Sequence, residues 1–356
     1  MNITEATRAY DDWARGQIPF VARDLSLKHR LMAKAAFPFL RATFYRWMQV
    51  WPEACADLAR APKLLAVGDL HVENFGTWRD LEGRLVWGIN DFDEVYPLPY
   101  TLDLVRLAAS ALLAIREESL SINPDRACAA ILEGYAQSLS AGGHAYVLEE
   151  HHPTLRALAY AEERDPQRFW TKLTRAKAIR PPGALASRLR RDLPTGSTQI
   201  RFVPRVAGLG SLGHPRYVAL AGYHGSWLAR EAKALLPSAA AWVAKAARPT
   251  ILSGQLMSRA VRAPDPFVTL ESGWLLRRIG PHCSRIELAD FPKRSDELRI
   301  LRAMGRETAN VHLATPGTIP AVRRDLKKRG ATWLRSAART MADAVLTDWK
   351  DWRRAF

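Results

Sequence analysis

The chain has 356 residues, 48% of them hydrophobic and 25% charged, which are ordinary values for a globular protein with a buried core. These values exclude a disordered chain, and no apolar run approaches the roughly 18 residues of a membrane-spanning helix. The net charge of +16 predicts anionic partners such as nucleotides, acidic metabolites or nucleic acid, and it disfavours a polycationic substrate.

The first half of the chain is predicted to be mostly helical. Residues 1–62 set apolar side chains among basic ones at helical spacing. Asn123 and Pro124 have the residue types of a helix cap and a first helical turn. Two strands and two helices are expected after residue 62, at Leu64–Val67, Leu85–Ile89, Leu104–Glu117 and Asn123–Ser140.

The composition changes near residue 198. Residues 141–197 are basic, with a helical pattern that several prolines interrupt. A strand-rich stretch follows, and its last hairpin is expected to turn at Ser272 and Gly273. The expected strands are Ile200–Val206, Tyr217–Leu220, Trp227–Glu231 and a pair within 267–279. Helices are expected again at 295–313 and 321–352.

The most informative stretches are VGDLHVENF and, after a short apolar strand, INDFDE. Transfer of a phosphoryl group from ATP needs a carboxylate that accepts the proton of the attacking hydroxyl, and oxygen ligands for magnesium. In kinases the catalytic Asp precedes a metal-binding Asn by five residues, and a second metal-binding Asp lies further along the chain. Asp69 and Asn74 have this separation. We therefore predict Asp69 as a catalytic residue, and Asn74, Asp91 and Asp93 as magnesium ligands.

This passage resembles the aminoglycoside and choline phosphotransferase branch of the protein-kinase-like superfamily. The pattern of that branch is HGDxHxxN, then IDF or IDW, then a D-L-A helix start. Val67 replaces its first His, whereas the following positions match at Gly68, Asp69, His71 and Asn74. The resemblance implies that His71 belongs to the catalytic loop. It also implies that Asp103 braces this loop through backbone N–H groups.

A glycine-rich turn, GLGSLG at 208–213, lies between two strand-like runs. Backbone N–H groups of such a turn can approach phosphates closely because glycine has no Cβ. A dinucleotide-binding fold would require a helix directly after the turn, but the pattern here is that of a strand. The third strand of a kinase carries a phosphate-binding Lys. The predicted nucleotide-binding residues are Gly208, Gly210, Ser211, Gly213 and either Arg230 or Lys233.

The glycine turn follows the acidic loop, whereas in ordinary kinases it precedes it. In the phosphotransferase pattern a helix precedes the acidic loop, and the similar helix Ala303–Leu313 comes late in this chain. We therefore predict an α+β, bilobal, protein-kinase-like fold with circularly permuted lobe order. The expected parts are a large helical lobe at 1–197, a small β-rich nucleotide-binding lobe at 198–280, and a helical return completing the large lobe at 281–356.

Over nearly its full length the chain is also similar to an uncharacterised bacterial family, domain of unknown function 2252. The shared motifs are GDxHxxNFG, NDFDE, D-L-x-R-L-A-x-S and GxGSxG. A later basic-Glu-Ala triplet begins with Arg230 here, whereas Lys is usual in the family. This resemblance implies no particular substrate.

The cysteines indicate the compartment. Cys55, Cys128 and Cys283 are far apart and form no CxxC pair. They predict buried thiols in a reducing compartment and disfavour a disulfide framework or a zinc site. The first residues lack the apolar segment of a secretion signal. We expect a cytoplasmic protein without a membrane partner.

The predicted function is transfer of the terminal phosphoryl group of ATP, with magnesium, to an unidentified hydroxyl acceptor. Three alternatives stay open: a nucleotide-binding regulator without catalysis, a two-metal phosphoesterase, and a binder of anions or nucleic acid. The first is favoured by Arg230 and by Val67 in place of His. The kinase-like hypothesis requires that the acidic loop near residue 70 and the glycine turn near residue 210 share one cleft.

Overall fold

The computed structural model describes residues 1–148, 152–160, 165–283, 285–286 and 296–356. The chain combines helices and sheets, in agreement with the predicted α+β class. Residues 149–151 and 161–164 of the predicted helical stretch, and the predicted helix start at 295, lie outside the described residues. Within the described residues, no helix is both long enough and apolar enough to cross a membrane.

The N-terminal region is helical, as predicted. Asn2 caps the first helix by accepting a hydrogen bond from the backbone N–H of Glu5, and the Glu5 side chain returns a bond to the Asn2 N–H. Ile3, Tyr10 and Ala14 of this helix face the core. The helices are α1 (Ile3–Arg15), α2 (Ala22–Lys34), α3 (Ala36–Ala42) and α4 (Phe44–Ala54).

Short strands surround the acidic loop. The first pairs with the fourth, and the second, third and fifth form a small antiparallel sheet. They are β1 (Lys63–Ala66), β2 (Phe75–Arg79), β3 (Leu85–Ile89), β4 (Tyr96–Pro99) and β5 (Tyr146–Val147). The prediction found β1 and β3 but missed β2 and β4, because Gly76, Pro97 and Pro99 remove the usual strand pattern. It also missed β5, which has only two residues and lies in a stretch predicted to be helical.

The helical core is built around α5 (Tyr100–Arg116), which is buried over most of its circumference. It packs against α6 (Pro124–Ala141), whose N-terminus Asn123 caps as predicted. Helix α6 in turn crosses α12 (Glu297–His312), a helix near the C-terminus. The crossing is close, since a Cβ on Gly134 would overlap the backbone of Arg302.

The middle of the chain forms a third sheet, which is antiparallel and has five strands in the order β6-β7-β8-β10-β9. The prediction located all five, although β8 extends beyond the expected end at Glu231. Short helices precede the sheet and lie between β8 and β9. They are α7 (Pro153–Ala159), α8 (Pro166–Thr174), α9 (Gly183–Arg191), α10 (Ala239–Val243) and α11 (Ser253–Arg259). The strands are β6 (Thr198–Pro204), β7 (Arg216–Tyr223), β8 (Ser226–Ala234), β9 (Thr269–Glu271) and β10 (Trp274–Ile279).

The C-terminal part returns to the helical core. It contains α12 (Glu297–His312), α13 (Ile319–Lys328) and α14 (Trp333–Ala355). The predicted single helix 321–352 is wrong at this point, because the chain becomes extended at Arg329 and Gly330 follows. Helix α14 packs along α5. The acidic loop connects β1 to β2. It lies between the helical core and the five-stranded sheet.

Candidate functional site

Asp103 holds the start of the acidic loop. Its two carboxylate oxygens accept hydrogen bonds from the backbone N–H groups of Val67, at 2.7 Å, and Gly68, at 2.9 Å. His312 Nε2 lies 2.9 Å from Asp103 Oδ2, and His312 Nδ1 lies 3.0 Å from the hydroxyl of Tyr135. All three side chains are fully buried. From the sequence we expected His312 to be a core or capping residue without a catalytic role, and in the structure it is buried and links α12 and α6 to Asp103.

The acidic loop also stabilises itself internally. Gly68 has a φ of +84°, and a Cβ there would overlap the carbonyl of Glu94, so only glycine is tolerated. The Asn74 side chain accepts a 3.0 Å hydrogen bond from the His71 N–H, and His71 Nδ1 accepts a 3.2 Å bond from the Glu73 N–H. Burial, followed by the charges of nearby arginines, lowers the pKa of His71 well below its ordinary value. His71 is therefore a neutral, loop-shaping residue.

Asp69 is paired with Arg106 of α5. The Arg106 Nε donates a 2.8 Å hydrogen bond to Asp69 Oδ1, and its Nη2 contacts the same oxygen. The guanidinium carbon lies over the rings of Phe44 and Trp47, at 5.0 and 4.8 Å from their centroids. Burial raises the pKa of Asp69 to about 6, although the charge of Arg106 opposes the shift. The other carboxylate oxygen, Oδ2, faces Gly210, whose Cβ position would lie 3.5 Å away.

Lys233 of β8 reaches the second acidic stretch. Its side chain is buried, and Nζ lies 3.6 Å from Asp91 Oδ1 and contacts Asp93 Oδ2. The position of Asp91 inside the cleft disfavours ionisation, but the charges of Lys233, Arg277 and others outweigh this effect and lower its pKa to about 2. Burial and the Asp91 charge raise the pKa of Asp93. The Asp91 side chain is 41% exposed, so this carboxylate is accessible to a ligand.

The structure does not bring Arg230 to this cleft. Its Nε donates a 3.2 Å hydrogen bond to the carbonyl of Asp192, and its guanidinium lies 4.3 Å from the ring centroid of Phe267. Successive side chains of a strand point to opposite faces. Arg230 and Lys233 are three positions apart, so only one of them can face the second acidic stretch. That residue is Lys233.

A buried acid, Glu231, organises the glycine turn and was missed by the sequence analysis. It is bound by Arg205 at 2.8 Å and Arg277 at 2.7 Å, and Arg216 lies 3.5 Å away. Burial opposes ionisation, but the three arginines hold the pKa of Glu231 well below its ordinary value. Arg216 Nη2 also donates a 2.6 Å bond to Ser211 Oγ. Glu231 is the middle residue of the basic-Glu-Ala triplet, but the triplet alone did not predict that Glu231 binds three arginines.

The acidic loop and the glycine turn line one small polar pocket of about 50 Å³. Side chains of the N-terminal helices also line it, among them Lys28 and Arg41. The predicted residues found in its walls are Asp69, His71, Asn74, Asp91, Asp93, Gly208, Gly210 and Ser211. Gly213 instead accepts a 2.8 Å hydrogen bond from the Val21 N–H through its carbonyl.

A larger, mostly apolar pocket of about 260 Å³ meets the polar pocket at Asp93. Its apolar walls come from the three-stranded sheet, the five-stranded sheet and α11, and Arg277 supplies a charged group. Five of the apolar lining residues are Trp78, Phe92, Leu235, Met257 and Leu275. An apolar cavity with a few polar groups is the usual form of a small-molecule site.

The donor set decides which kind of metal site is possible. Within the described residues, no group of three or more His, Cys, Asp or Glu side chains is arranged to hold a metal ion. Asp91, Asp93 and Asn74 nevertheless line one pocket, and the Asn74 amide oxygen also accepts the His71 N–H. Magnesium in nucleotide sites is held by one or two carboxylates together with phosphates and water. The residues present fit that kind of site and do not form an all-protein cage.

Comparison with known proteins places the first half of the chain in a family. Residues 20–204, slightly more than half of the chain, match the family described as "Uncharacterized protein conserved in bacteria (DUF2252)". The match covers the acidic loop and α5 and ends with β6, before the glycine turn. No curated protein and no solved structure matches the chain.

Proposed function

We propose that this protein, which belongs to the bacterial family DUF2252, is a kinase-like phosphotransferase that moves the terminal phosphoryl group of ATP to a hydroxyl acceptor. One observation supports this proposal above the others. Asp69, Asp91 and the glycine turn line a single pocket, and Lys233 from the third strand of the five-stranded sheet lies beside Asp91. This is the combination of groups that phosphoryl transfer requires.

The proposed roles follow from position. Backbone N–H groups of the glycine turn and the ammonium of Lys233 bind the phosphates. Asn74, Asp91 and Asp93 are the residues that would hold magnesium, which offsets phosphate charge when it is bound. Lys233 now compensates the two carboxylates of the acidic pair. We propose that it shifts towards the phosphates when the nucleotide and its metal bind.

Asp69 acts on the acceptor. Its Oδ1 is held by Arg106, so Oδ2 is the oxygen available to the acceptor hydroxyl. The hydroxyl proton passes to Oδ2 as the acceptor oxygen bonds to the terminal phosphorus. The bond from that phosphorus to the bridging oxygen breaks, and ADP leaves with the electron pair. A pKa of about 6 leaves Asp69 mainly ionised at neutral pH and close to the optimum for a general base.

The apolar pocket is the proposed site for the nucleobase. It adjoins the polar pocket at Asp93, so a base bound there can extend its phosphates towards the glycine turn. The polar pocket, at about 50 Å³, has space for only a few water molecules. We therefore expect the glycine turn to move away from the acidic loop when a triphosphate enters.

A nucleotide-binding regulator without catalysis is the second candidate. It is favoured by the Arg106 pairing, because an arginine on the carboxylate of Asp69 weakens that carboxylate as a base. Val67 also replaces the His of the phosphotransferase pattern. This candidate predicts nucleotide binding with no transfer. The two-metal phosphoesterase has no support in the described residues, which contain no three-ligand cluster of the required types.

The test uses the purified full chain. We expect ATP with magnesium to raise the unfolding midpoint, because a ligand at 100 times its Kd adds about 2.7 kcal/mol to the stability of the folded state. Radiolabelled ATP should then label an acceptor or release phosphate. Asp69→Asn should abolish transfer and keep nucleotide binding. Binding without turnover in the natural chain would support the regulator, and no response to any nucleotide would contradict both candidates.

A further inference from the structure

Lys28 lies on α2, far in sequence from both the acidic loop and the glycine turn, yet its side chain lines the polar pocket. The residue is only 5% exposed, whereas Lys34 on the same helix is exposed. A buried lysine is rare unless it is paired, because an ammonium loses its hydration in the interior. We therefore expect the buried ammonium of Lys28 to have an anionic partner.

Among the described residues, Lys28 has aromatic contacts but no counter-ion in direct contact. Its Nζ lies 5.9 Å from the ring centroids of both Tyr10 and Tyr45. Within the described part of the chain, Lys28 Nζ forms neither a salt bridge nor a hydrogen bond. Three carboxyl groups act on it from a distance: Asp11 and Asp69 each contact another basic side chain, and Glu94 accepts hydrogen bonds from Ser238 and the Ala239 N–H. An ammonium with no carboxylate in direct contact thus borders a polar cavity.

Other cationic groups of the cleft have acidic partners. Lys233 contacts Asp91 and Asp93, and Arg106 contacts Asp69. Burial lowers the pKa of Lys28, because the surroundings disfavour its charged form. An anion arriving in the pocket would restore a direct partner to this group and would gain a strong, water-excluded interaction.

The segment that carries Lys28 is attached to the glycine turn. Val21, at the start of α2, donates a 2.8 Å hydrogen bond to the carbonyl of Gly213, and Phe20 packs against the same glycine. The backbone carbonyl of Arg41 approaches Gly210 from the neighbouring helix α3. These contacts hold the turn next to the pocket wall that contains Lys28. The N-terminal helices are therefore part of the site.

We propose that Lys28 binds the terminal phosphoryl group of the nucleotide. This inference rests on the proposed function, since it places that group between the glycine turn and Asp69 Oδ2. Lys28 faces this cavity from the N-terminal helices, whereas Lys233 contacts Asp91 and Asp93 from the sheet. An ammonium at this position stabilises the charge on the transferred group. It also makes the site prefer a triphosphate to a diphosphate.

The first test compares two nucleotides that differ only at the terminal group. The Kd values of the full chain for ADP and for a non-hydrolysable ATP analogue are measured with magnesium by calorimetry. Lys28→Met should weaken binding of the analogue about 10-fold or more, as loss of a charged contact does, and change the ADP value by less than about 3-fold. Lys34→Met, which removes an exposed charge from the same helix, should change neither value.

The unfolding midpoint of the free protein separates binding from a structural role. The buried ammonium of Lys28 has no carboxylate in direct contact, so removing it should leave the midpoint unchanged or raise it. The Met side chain can occupy the space of the lysine stem. A lower midpoint for Lys28→Met would mark the lysine as a structural residue and overturn the proposal. Equal loss of affinity for ADP and the analogue would overturn it as well.

Tripolyphosphate distinguishes failure of this inference from failure of the proposed function. If the natural chain binds neither nucleotide, the phosphotransferase proposal is wrong. Tripolyphosphate binding that weakens about 10-fold in Lys28→Met would then still support Lys28 as a phosphate ligand. An unchanged tripolyphosphate Kd in that variant, or no binding by the natural chain to any of the three probes, would overturn the Lys28 proposal.

Discussion

Asp69 and Asp91 line the same pocket, yet their pKa values are shifted in opposite directions. Burial raises the pKa of Asp69 to about 6 against the opposing charge of Arg106. The cleft also disfavours ionisation of Asp91, but the charges of Lys233 and Arg277 dominate and lower its pKa to about 2. Two carboxyl groups whose pKa values are moved apart can take different chemical roles. In our proposal Asp69 exchanges a proton and Asp91 stays ionised.

The first residue-scale prediction is a pH profile. Asp69 must be ionised to accept a proton, so kcat/KM for transfer should rise with pH and reach half of its plateau near pH 6. Asp91 should be ionised throughout, because its pKa lies near 2. The profile is measured from pH 5 to pH 8 at saturating magnesium. A rate that falls as pH rises through 6 would contradict the role of Asp69.

The second residue-scale prediction uses two positions on β8. Lys233→Met should weaken binding of ATP with magnesium by about 10-fold or more, because it removes the ammonium beside Asp91 and leaves two carboxylates uncompensated. Arg230→Met is the matched control on the opposite face of the strand, and it should change the Kd by less than about 3-fold. Calorimetric Kd values decide the matter. A larger effect at Arg230 would mean that the phosphates bind elsewhere.

At the scale of elements, the crossing of α6 and α12 connects the core to the site. Helix α12 carries His312, which reaches the Asp103 brace, and Glu307, whose Oε1 accepts a 3.2 Å hydrogen bond from the Ile89 N–H at the end of β3. The crossing is close because each helix has a glycine against the backbone of the other, Gly134 on α6 and Gly305 on α12. The spacing of these two helices therefore sets the position of the acidic loop.

Gly305→Ala tests this crossing. The new Cβ would overlap the carbonyl of Ile131, so the helices must separate, and we expect a loss of about 2–4 kcal/mol in the free energy of unfolding. Gly183→Ala, at the start of α9 with no neighbouring atom within 4 Å of the added Cβ, is the control. It should be neutral or stabilising by up to about 1 kcal/mol. Denaturant unfolding measures both, and equal stabilities would contradict the close crossing.

At the scale of the whole molecule, several buried carboxyl groups disfavour ionisation. Burial raises the pKa of Asp69 to about 6, of Glu94 to about 8 and of Glu307 to about 7. Between the ordinary values near 4 and these raised values, the folded state binds more protons than the unfolded state. The contribution of these three groups to the free energy of unfolding therefore falls as pH rises through this window. Burial lowers the pKa values of His71 and His214, so these two groups contribute in the opposite direction as pH rises towards about 6.5. Asp91 and Glu231, whose pKa values are lowered, contribute stability that is lost only in acid.

The whole-molecule prediction concerns this slope. The unfolding midpoint should decrease from about pH 6.5 to pH 8, where His71 and His214 no longer oppose the carboxyl groups, and Glu307→Gln should reduce the decrease because its amide does not ionise. For Glu307 the shift from 4.5 to about 7 corresponds to at most about 3 kcal/mol. Midpoints of both proteins at a series of pH values test the prediction. Parallel curves for the natural chain and the variant would show that Glu307 does not contribute to the pH dependence.

The sequence by itself determined most of the elements and the residues of the candidate site. Asn123 caps α6 as expected, the β9-β10 hairpin turns at Ser272 and Gly273, and Asp69 and Asn74 share one loop. These features depend on residues a few positions apart, so spacing and turn chemistry reveal them. The sequence missed β2 and β4, whose glycine and prolines hide the strand pattern.

Only the tertiary structure decided which groups meet in the cleft. Strand alternation alone puts Arg230 and Lys233 on opposite faces, but packing of the sheet against the helices selected Lys233. The same holds for the Arg106 pairing with Asp69 and for Lys28, which lines the same pocket as the glycine turn although its helix is far away in the chain. The physical reason is that such contacts follow from burial of whole helix and sheet faces. No local pattern within a short stretch of chain encodes them.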